Sequence, residues 1–177
     1  PGVLGAVIGP NGAGKTTLIR TIAGLMHPAA GQIRLEGGAP DHSLGEQCHY
    51  VGHLSAIKPA LSIEENASFW RGFLGGRHRA LEAALATFGL EALRDIPAGY
   101  LSAGQKRRLG LVRLLLAERP LWLLDEPTTS LDSGAQDILT GVVNEHLAAG
   151  GIAVAATHVA LGFNNARELA LGGGSGP

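Results

Sequence analysis

Short apolar runs alternate along this chain with segments whose apolar residues recur at helical spacing. The unbroken runs, such as residues 121–125, predict strands buried on both faces of a sheet. The strands predicted in this way cover residues 3–8, 32–36, 48–53, 121–125, 151–156 and 168–171. Strands that alternate with helices favour an α/β fold with a mostly parallel sheet.

The helical segments concentrate in the middle of the chain. Ser62 and Glu65 have the S-x-x-E spacing of a capping box, which predicts a helix start at that point. The predicted helices cover residues 17–23, 63–74, 77–88, 103–118 and 133–149. We therefore expect a helical subdomain at residues 57–118, inserted into a core of residues 1–56 and 119–171, with a flexible tail at residues 172–177.

The composition fits one domain that neither binds nucleic acid nor spans a membrane. The chain has 177 residues, enough for a substantial core, and its net charge is −1. It therefore lacks the basic charge that neutralises a nucleic-acid backbone. No apolar run reaches the ~20 residues that span a bilayer, so we expect no direct membrane insertion. The single cysteine, Cys48, excludes an internal disulfide and suits a reducing compartment.

The segment between the first strand and the first helix carries the clearest chemical motif. It matches G-x-x-x-x-G-K-[ST], the pattern of a loop whose backbone N–H groups surround a phosphate at a helix N-terminus. Lys15 would reach the β- and γ-phosphates of a nucleotide, and the Thr16 hydroxyl would bind Mg²⁺. The alternative is a glycine-rich turn without a ligand. The residues of this loop are Gly9, Pro10, Asn11, Gly12, Ala13, Gly14, Lys15, Thr16 and Thr17.

Two acidic residues follow the most apolar strand. Asp125 ends that strand and Glu126 comes next, at the sheet edge where α/β proteins bind ligands. Asp125 could therefore hold Mg²⁺ through water, and Glu126 could act on an attacking water molecule. The plain alternative is an acidic strand end of the kind common in α/β proteins.

A second helix start has two interpretations. Ser102 and Gln105 have capping-box spacing, which is a purely structural role. The same helix start, with the small residues Ala103 and Gly104, could also donate hydrogen bonds to a γ-phosphate. The adjoining basic run of residues 106–108 is interpreted as a solvated helix face.

The ordered motifs together resemble ABC-type ATPases over essentially the whole chain. Residues 101–105, LSAGQ, resemble the signature loop of that family with Ala103 in place of a glycine. Residues 123–128 resemble its Walker B strand, and residues 130–132, which end at Asp132, resemble its D-loop. His158 follows a predicted strand and resembles the switch histidine. Taken alone, Asp132 is also a candidate helix N-cap, and His158 a surface or core histidine.

The resemblance implies a P-loop NTPase fold with a RecA-like core and an ABC-type helical subdomain. It implies a homodimer in which two copies meet head to tail with two ATP molecules between them, each between the phosphate loop of one copy and residues 102–105 of the other. It also implies that Asp132 contacts the nucleotide. Glu126, His158 and Lys15 would then serve catalysis, with Thr16 and Asp125 on Mg²⁺. Because the chain reaches the phosphate loop almost at once, we expect the N-terminal strands of the domain, with its adenine-stacking aromatic residue, to be missing.

One departure from the family lies after the second predicted core strand. His53 stands where the family has a glutamine that contacts Mg²⁺ and the attacking water. An imidazole is a poorer Mg²⁺ ligand than an amide oxygen, although a contact through water is compatible with it. His53 is therefore a candidate metal contact, and its presence also favours an alternative function, a nucleotide-dependent scaffold with weak turnover.

A narrower resemblance rests on less specific segments. Residues 49–58, the Phe69–Trp70 pair and residues 120–125 resemble the ATP-binding subunit of the haem exporter of cytochrome c maturation. This resemblance implies a membrane subunit as partner and a peripheral place on the cytoplasmic side of a bacterial inner membrane. A soluble ABC ATPase outside transport, such as an Fe–S assembly factor, is the other alternative. The transported substrate does not follow from the sequence.

Overall fold

The computed structural model describes residues 2–75, 78–157 and 167–172, which form two compact units. The first unit contains Pro1–His53, Arg119–Pro127 and Thr140–Pro177, and the second contains Leu54–Glu118 and Thr128–Leu139. Within the described ranges, no helix is long and apolar enough to cross a lipid bilayer.

A parallel sheet with the order β2-β3-β4-β1-β5 forms the centre of the first unit. Because all strands run in the same direction, their carboxyl ends meet at one edge, where α/β sheets bind ligands. The strands are β1 (Val3–Ile8), β2 (Cys48–Val51), β3 (Leu121–Asp125), β4 (Ile152–Ala156) and β5 (Arg167–Ala170).

Helices cover this sheet on both faces, which explains the unbroken apolar character of β3. Leu121 and Leu123 point to one face, where they pack with Ile19 of helix α1 (Lys15–Ile22). Trp122 points to the other face. There its ring stacks on His146 of helix α5 (Ser133–Ala148), with ring centroids 3.9 Å apart.

The second unit is built from helices α2 (Ile63–Leu74), α3 (Leu81–Thr87) and α4 (Ala103–Leu116). Both predicted capping boxes are present, at the starts of α2 and α4, with their reciprocal hydrogen bonds. The predicted apolar face of α3 is confirmed, because Leu81, Leu85 and Phe88 are all buried.

Three details of the sequence prediction are wrong. Residues 32–36 form no strand, and Ile33 is 39% exposed, because an alternating pattern gives a strand only where a neighbouring strand supplies hydrogen bonds. Helix α3 begins at Leu81 instead of residue 77, since the His78 and Arg79 N–H groups donate to the Leu116 and Leu115 carbonyls at the end of α4.

The basic run of residues 106–108 is also not a solvated face. Arg107 is buried, and Arg108 Nη1 donates to the Phe88 carbonyl at 2.9 Å. That bond satisfies a carbonyl at the end of α3, so two of these charged residues have structural roles.

Candidate nucleotide-binding site

The phosphate loop joins the end of β1 to the start of α1. Gly14 precedes α1 in a left-handed conformation, with φ of 94°, and the helix begins at Lys15. The first N–H groups of a helix have no acceptor within the helix and carry partial positive charge. The chain thus presents a set of donors suited to an anion at the carboxyl edge of the sheet.

Lys15 places its ammonium group inside this loop. Its Nζ donates to the Gly9 carbonyl at 2.7 Å and to the Pro10 carbonyl at 3.1 Å, and the residue is only 7% exposed. An ammonium has three donors, so these two bonds leave capacity for a phosphate oxygen.

Gly9 lies against the end of β5. Its φ is 154°, and a Cβ at this position would lie 2.5 Å from the Leu171 carbonyl oxygen. The first glycine of the motif is therefore required by the close approach of two backbone segments. Sequence reasoning missed Leu171, since its contact with Gly9 depends on which strand pairs beside β1.

Thr16 and Asp125 come together from elements far apart in the chain. The Thr16 hydroxyl donates to Asp125 Oδ1 at 3.0 Å, and Asp125 is 2% exposed at the end of β3. A hydroxyl and a carboxylate are hard oxygen ligands of the kind Mg²⁺ prefers. Among the described residues no three His, Cys, Asp or Glu side chains gather as a metal site. Mg²⁺ does not require such a group, because it usually binds one or two protein carboxylates and takes its other ligands from phosphates and water.

Glu126 has a strained backbone at the end of β3. Its φ is +47°, and its N–H donates to the Ala156 carbonyl at 2.9 Å, which extends the β3–β4 ladder by one residue. A left-handed conformation is uncommon for a residue other than glycine and occurs often at functional sites. The role of Glu126 in activating water stays a prediction.

The predicted signature segment belongs to the second unit. Ser102 Oγ accepts from the Gln105 N–H at 3.2 Å, and Gln105 Oε1 accepts from the Ser102 N–H at 2.8 Å. Ala103 is exposed in the first turn of α4, where a methyl group is readily accommodated. Gly104 lies against the loop that follows β3, because a Cβ there would lie 2.9 Å from the Ser130 carbonyl oxygen.

Asp132 caps the start of helix α5, which confirms the prediction that it could be a helix N-cap. Its Oδ1 accepts from the Ala135 N–H at 2.8 Å at the start of α5. Ser130, two residues before Asp132, has a φ of 66°, so the chain turns sharply before α5 begins. Contact of Asp132 with a nucleotide on a second copy of the chain stays a prediction.

The remaining two predicted site residues are His158 and His53. His158 lies outside the described residues. His53 is exposed in the segment after β2, and its role as a metal contact stays a prediction. Cys48 is no candidate nucleophile, because burial raises the pKa of its thiol to about 11 and keeps it protonated at neutral pH.

Sequence comparison relates the chain to transporter ATPases. The family model described as ABC transporter matches residues 1–129. The chain is 56% identical to the "Cytochrome c biogenesis ATP-binding export protein CcmA" of Bradyrhizobium diazoefficiens, over 95% of this chain and 84% of that protein. It is 55% identical to the protein of the same name from Nitrobacter winogradskyi, with the same coverage.

Structural comparison gives the same fold. A putative ABC transporter ATP-binding protein from Pyrococcus furiosus superposes with a TM-score of 0.81 at 24% identity, over 96% of this chain and 84% of that one. An ATP-binding subunit of an ABC transporter superposes with a TM-score of 0.77 at 30% identity, over 89% of this chain and 68% of that one. The expected P-loop NTPase fold is confirmed.

Proposed function

This chain belongs to the ABC transporter family, and from that membership we propose that it is the ATP-hydrolysing subunit of the haem exporter of cytochrome c maturation. The relatives named as cytochrome c biogenesis export proteins support this, since they match 95% of the chain at more than half of its positions. The activity we propose is hydrolysis of ATP to ADP and phosphate. Its free energy would drive transport by a membrane subunit.

The contact between Thr16 and Asp125 is the observation that carries the proposed chemistry. It joins the phosphate loop to β3 at 3.0 Å, so the two oxygen ligands meet directly beside the loop that would hold the phosphates. Mg²⁺ bound there would neutralise charge on the β- and γ-phosphates. Lys15 would add a positive charge from inside the loop, where its two carbonyl contacts hold it.

Glu126 would orient and deprotonate the attacking water. It follows Asp125 directly, and its backbone is fixed by the bond to the Ala156 carbonyl. Phosphoryl transfer needs little covalent chemistry from the protein, so positioning and charge supply most of the catalysis. The predicted contact of His158 with the γ-phosphate is part of the same proposal.

The assembly we propose contains two copies of the chain. Residues 102–105 and Asp132 of one copy would complete the ATP site on the other, and a membrane subunit would dock on the helical subdomain of residues 57–118. Phe69 and Phe73 favour docking there, because their rings stack 6.1 Å apart and remain 43% and 71% exposed. The complex would lie on the cytoplasmic face of a bacterial inner membrane.

Glu126→Gln tests the proposed reaction. We expect this variant to bind ATP with unchanged affinity but to release phosphate about 10²- to 10⁴-fold more slowly, the usual contribution of a positioned base. Equilibrium dialysis measures the first quantity and a phosphate-release assay the second. Glu82→Gln is the matched control, because Glu82 is exposed on α3. Unchanged turnover in the Glu126 variant would remove Glu126 from this role.

A nucleotide-dependent scaffold is the second candidate function, and His53 is the feature that favours it. An imidazole replaces the amide oxygen that the family uses near Mg²⁺. A scaffold would bind ATP and pair with its second copy, yet the unmodified protein would release no more phosphate than ATP incubated without protein. The same assay therefore separates the two functions.

A further inference from the structure

A buried asparagine organises the segment that follows His53. Asn66 lies at the end of the first turn of α2 and is 3% exposed. Its Nδ2 donates to the carbonyls of Lys58 at 3.0 Å, Leu61 at 3.1 Å and Ser62 at 2.9 Å. Its Oδ1 accepts from the Lys58 N–H at 2.8 Å. One side chain thus binds both ends of the stretch 58–62.

The first part of the same segment is also held in an unusual conformation. Ala56 has φ of 49°, in the left-handed region that costs free energy for a residue with a Cβ. Ser55 lies against α4 at Gly110, where a Cβ would come within 2.8 Å of the Ser55 Cβ. A strained backbone persists only when the surroundings fix it. Here α4 contacts Ser55 on one side of Ala56, and Asn66 holds Lys58 on the other side.

Asn66 is not needed to start its own helix. The capping box of Ser62 and Glu65 already satisfies the first turn of α2. The N–H groups of Ile63 and Glu64 donate to the carbonyls of Ile96 and Arg94. The side chain of Asn66 therefore acts on the preceding segment.

We propose that Asn66 is a positioning residue for ATP turnover. It holds residues 58–62 in one conformation within the helical unit, and so fixes the segment that follows His53 in the chain. This inference rests on the proposed function and on the position of His53, which stands where the family has a glutamine that contacts the attacking water. Loss of the Asn66 contacts would let the segment adopt several conformations and would slow the chemical step without weakening ATP binding, because the phosphate loop belongs to the other unit.

Asn66→Ala tests the proposal, with Ser62→Ala as its matched control. Both changes remove polar contacts at the start of α2, but only the first removes the bonds to Lys58. We expect Asn66→Ala to lower kcat by roughly tenfold or more with KM for ATP unchanged, as small misplacements near a reacting centre do. We expect Ser62→Ala to lose thermal stability and keep the kcat of the unmodified protein. An Asn66→Ala variant with unchanged kcat would overturn the inference.

Amide hydrogen exchange provides a readout that does not depend on activity. In the unmodified full chain, the Lys58 N–H should exchange as slowly as the amides of α2, because its acceptor is a buried side chain. In Asn66→Ala, its protection should fall at least roughly tenfold. A Lys58 amide that exchanges freely in the unmodified protein would contradict the proposal even if the variant does not fold. An unmodified protein without ATP turnover would instead contradict the proposed function.

Discussion

The two helices that carry the predicted nucleotide contacts begin in different ways. Helix α1 follows Gly14, which has no side chain to accept a hydrogen bond from the first turn. Helix α4 follows Ser102, which exchanges two hydrogen bonds with Gln105. The first turn of α1 therefore keeps its N–H donors for an external anion. In α4, the capping box supplies an acceptor within the chain for the Gln105 N–H group.

This difference indicates what each helix start can do by itself. The start of α1 also contains the Lys15 ammonium and adjoins the Thr16–Asp125 pair. We therefore expect it to hold a triphosphate within one copy of the chain. The capping box of α4 leaves the N–H groups of Ala103 and Gly104 for an additional ligand. We expect that start to contribute contacts only after a second copy supplies the nucleotide.

Of the variants that test this difference between the two helix starts, Lys15→Ala should have the largest effect. A hydrogen bond to a charged group contributes about 1.5–3 kcal/mol, so ATP affinity should fall by roughly 10- to 100-fold. Equilibrium dialysis of ATP with the purified chain measures the change. Lys106→Ala is the matched control, because Lys106 donates to the Gly99 carbonyl, at the other helix start. Retained affinity in Lys15→Ala would contradict the phosphate-loop assignment.

Ser102→Ala sharpens the comparison through a smaller effect. The loss of an N-cap costs about 1 kcal/mol of unfolding free energy, which corresponds to a fall in Tm of roughly 2–4 °C. At protein concentrations below those at which pairs form, ATP affinity should not change, since residues 102–105 are expected to contact the nucleotide of another copy. Thermal denaturation and dialysis test both parts, with the exposed Ser68→Ala as control. A loss of affinity equal to that of Lys15→Ala would show that the two starts are equivalent.

Local patterns predicted most of the fold where burial and hydrogen bonding agree. Every residue of β3 is buried, as the unbroken apolar run predicted for a strand covered on both faces. The pattern at residues 32–36 failed because alternation does not reveal whether a neighbouring strand exists. The predicted start of α3 was wrong because the His78 and Arg79 N–H groups donate to carbonyls at the end of α4. That contact joins segments distant in sequence.

In the candidate site, too, the sequence predicted features within one contiguous segment but not contacts between distant segments. The motif at residues 9–17 predicted the loop, since its glycines and its helix are contiguous. The contact between Gly9 and Leu171 required knowledge of the strand order. Asn66 carried a weak signal, because it is a polar residue three positions after Ile63 on the apolar face of α2. Its four hydrogen bonds to residues 58, 61 and 62 became evident only from the folded course of that segment.

Nucleotide uptake by the unmodified protein tests the central claim most directly. Equilibrium dialysis with ATP and Mg²⁺ should show one ATP bound per chain, and the loaded protein should form pairs detectable by size and light scattering. A protein that neither takes up ATP nor pairs under these conditions would contradict the assignment of the loop at residues 9–17 as a triphosphate site.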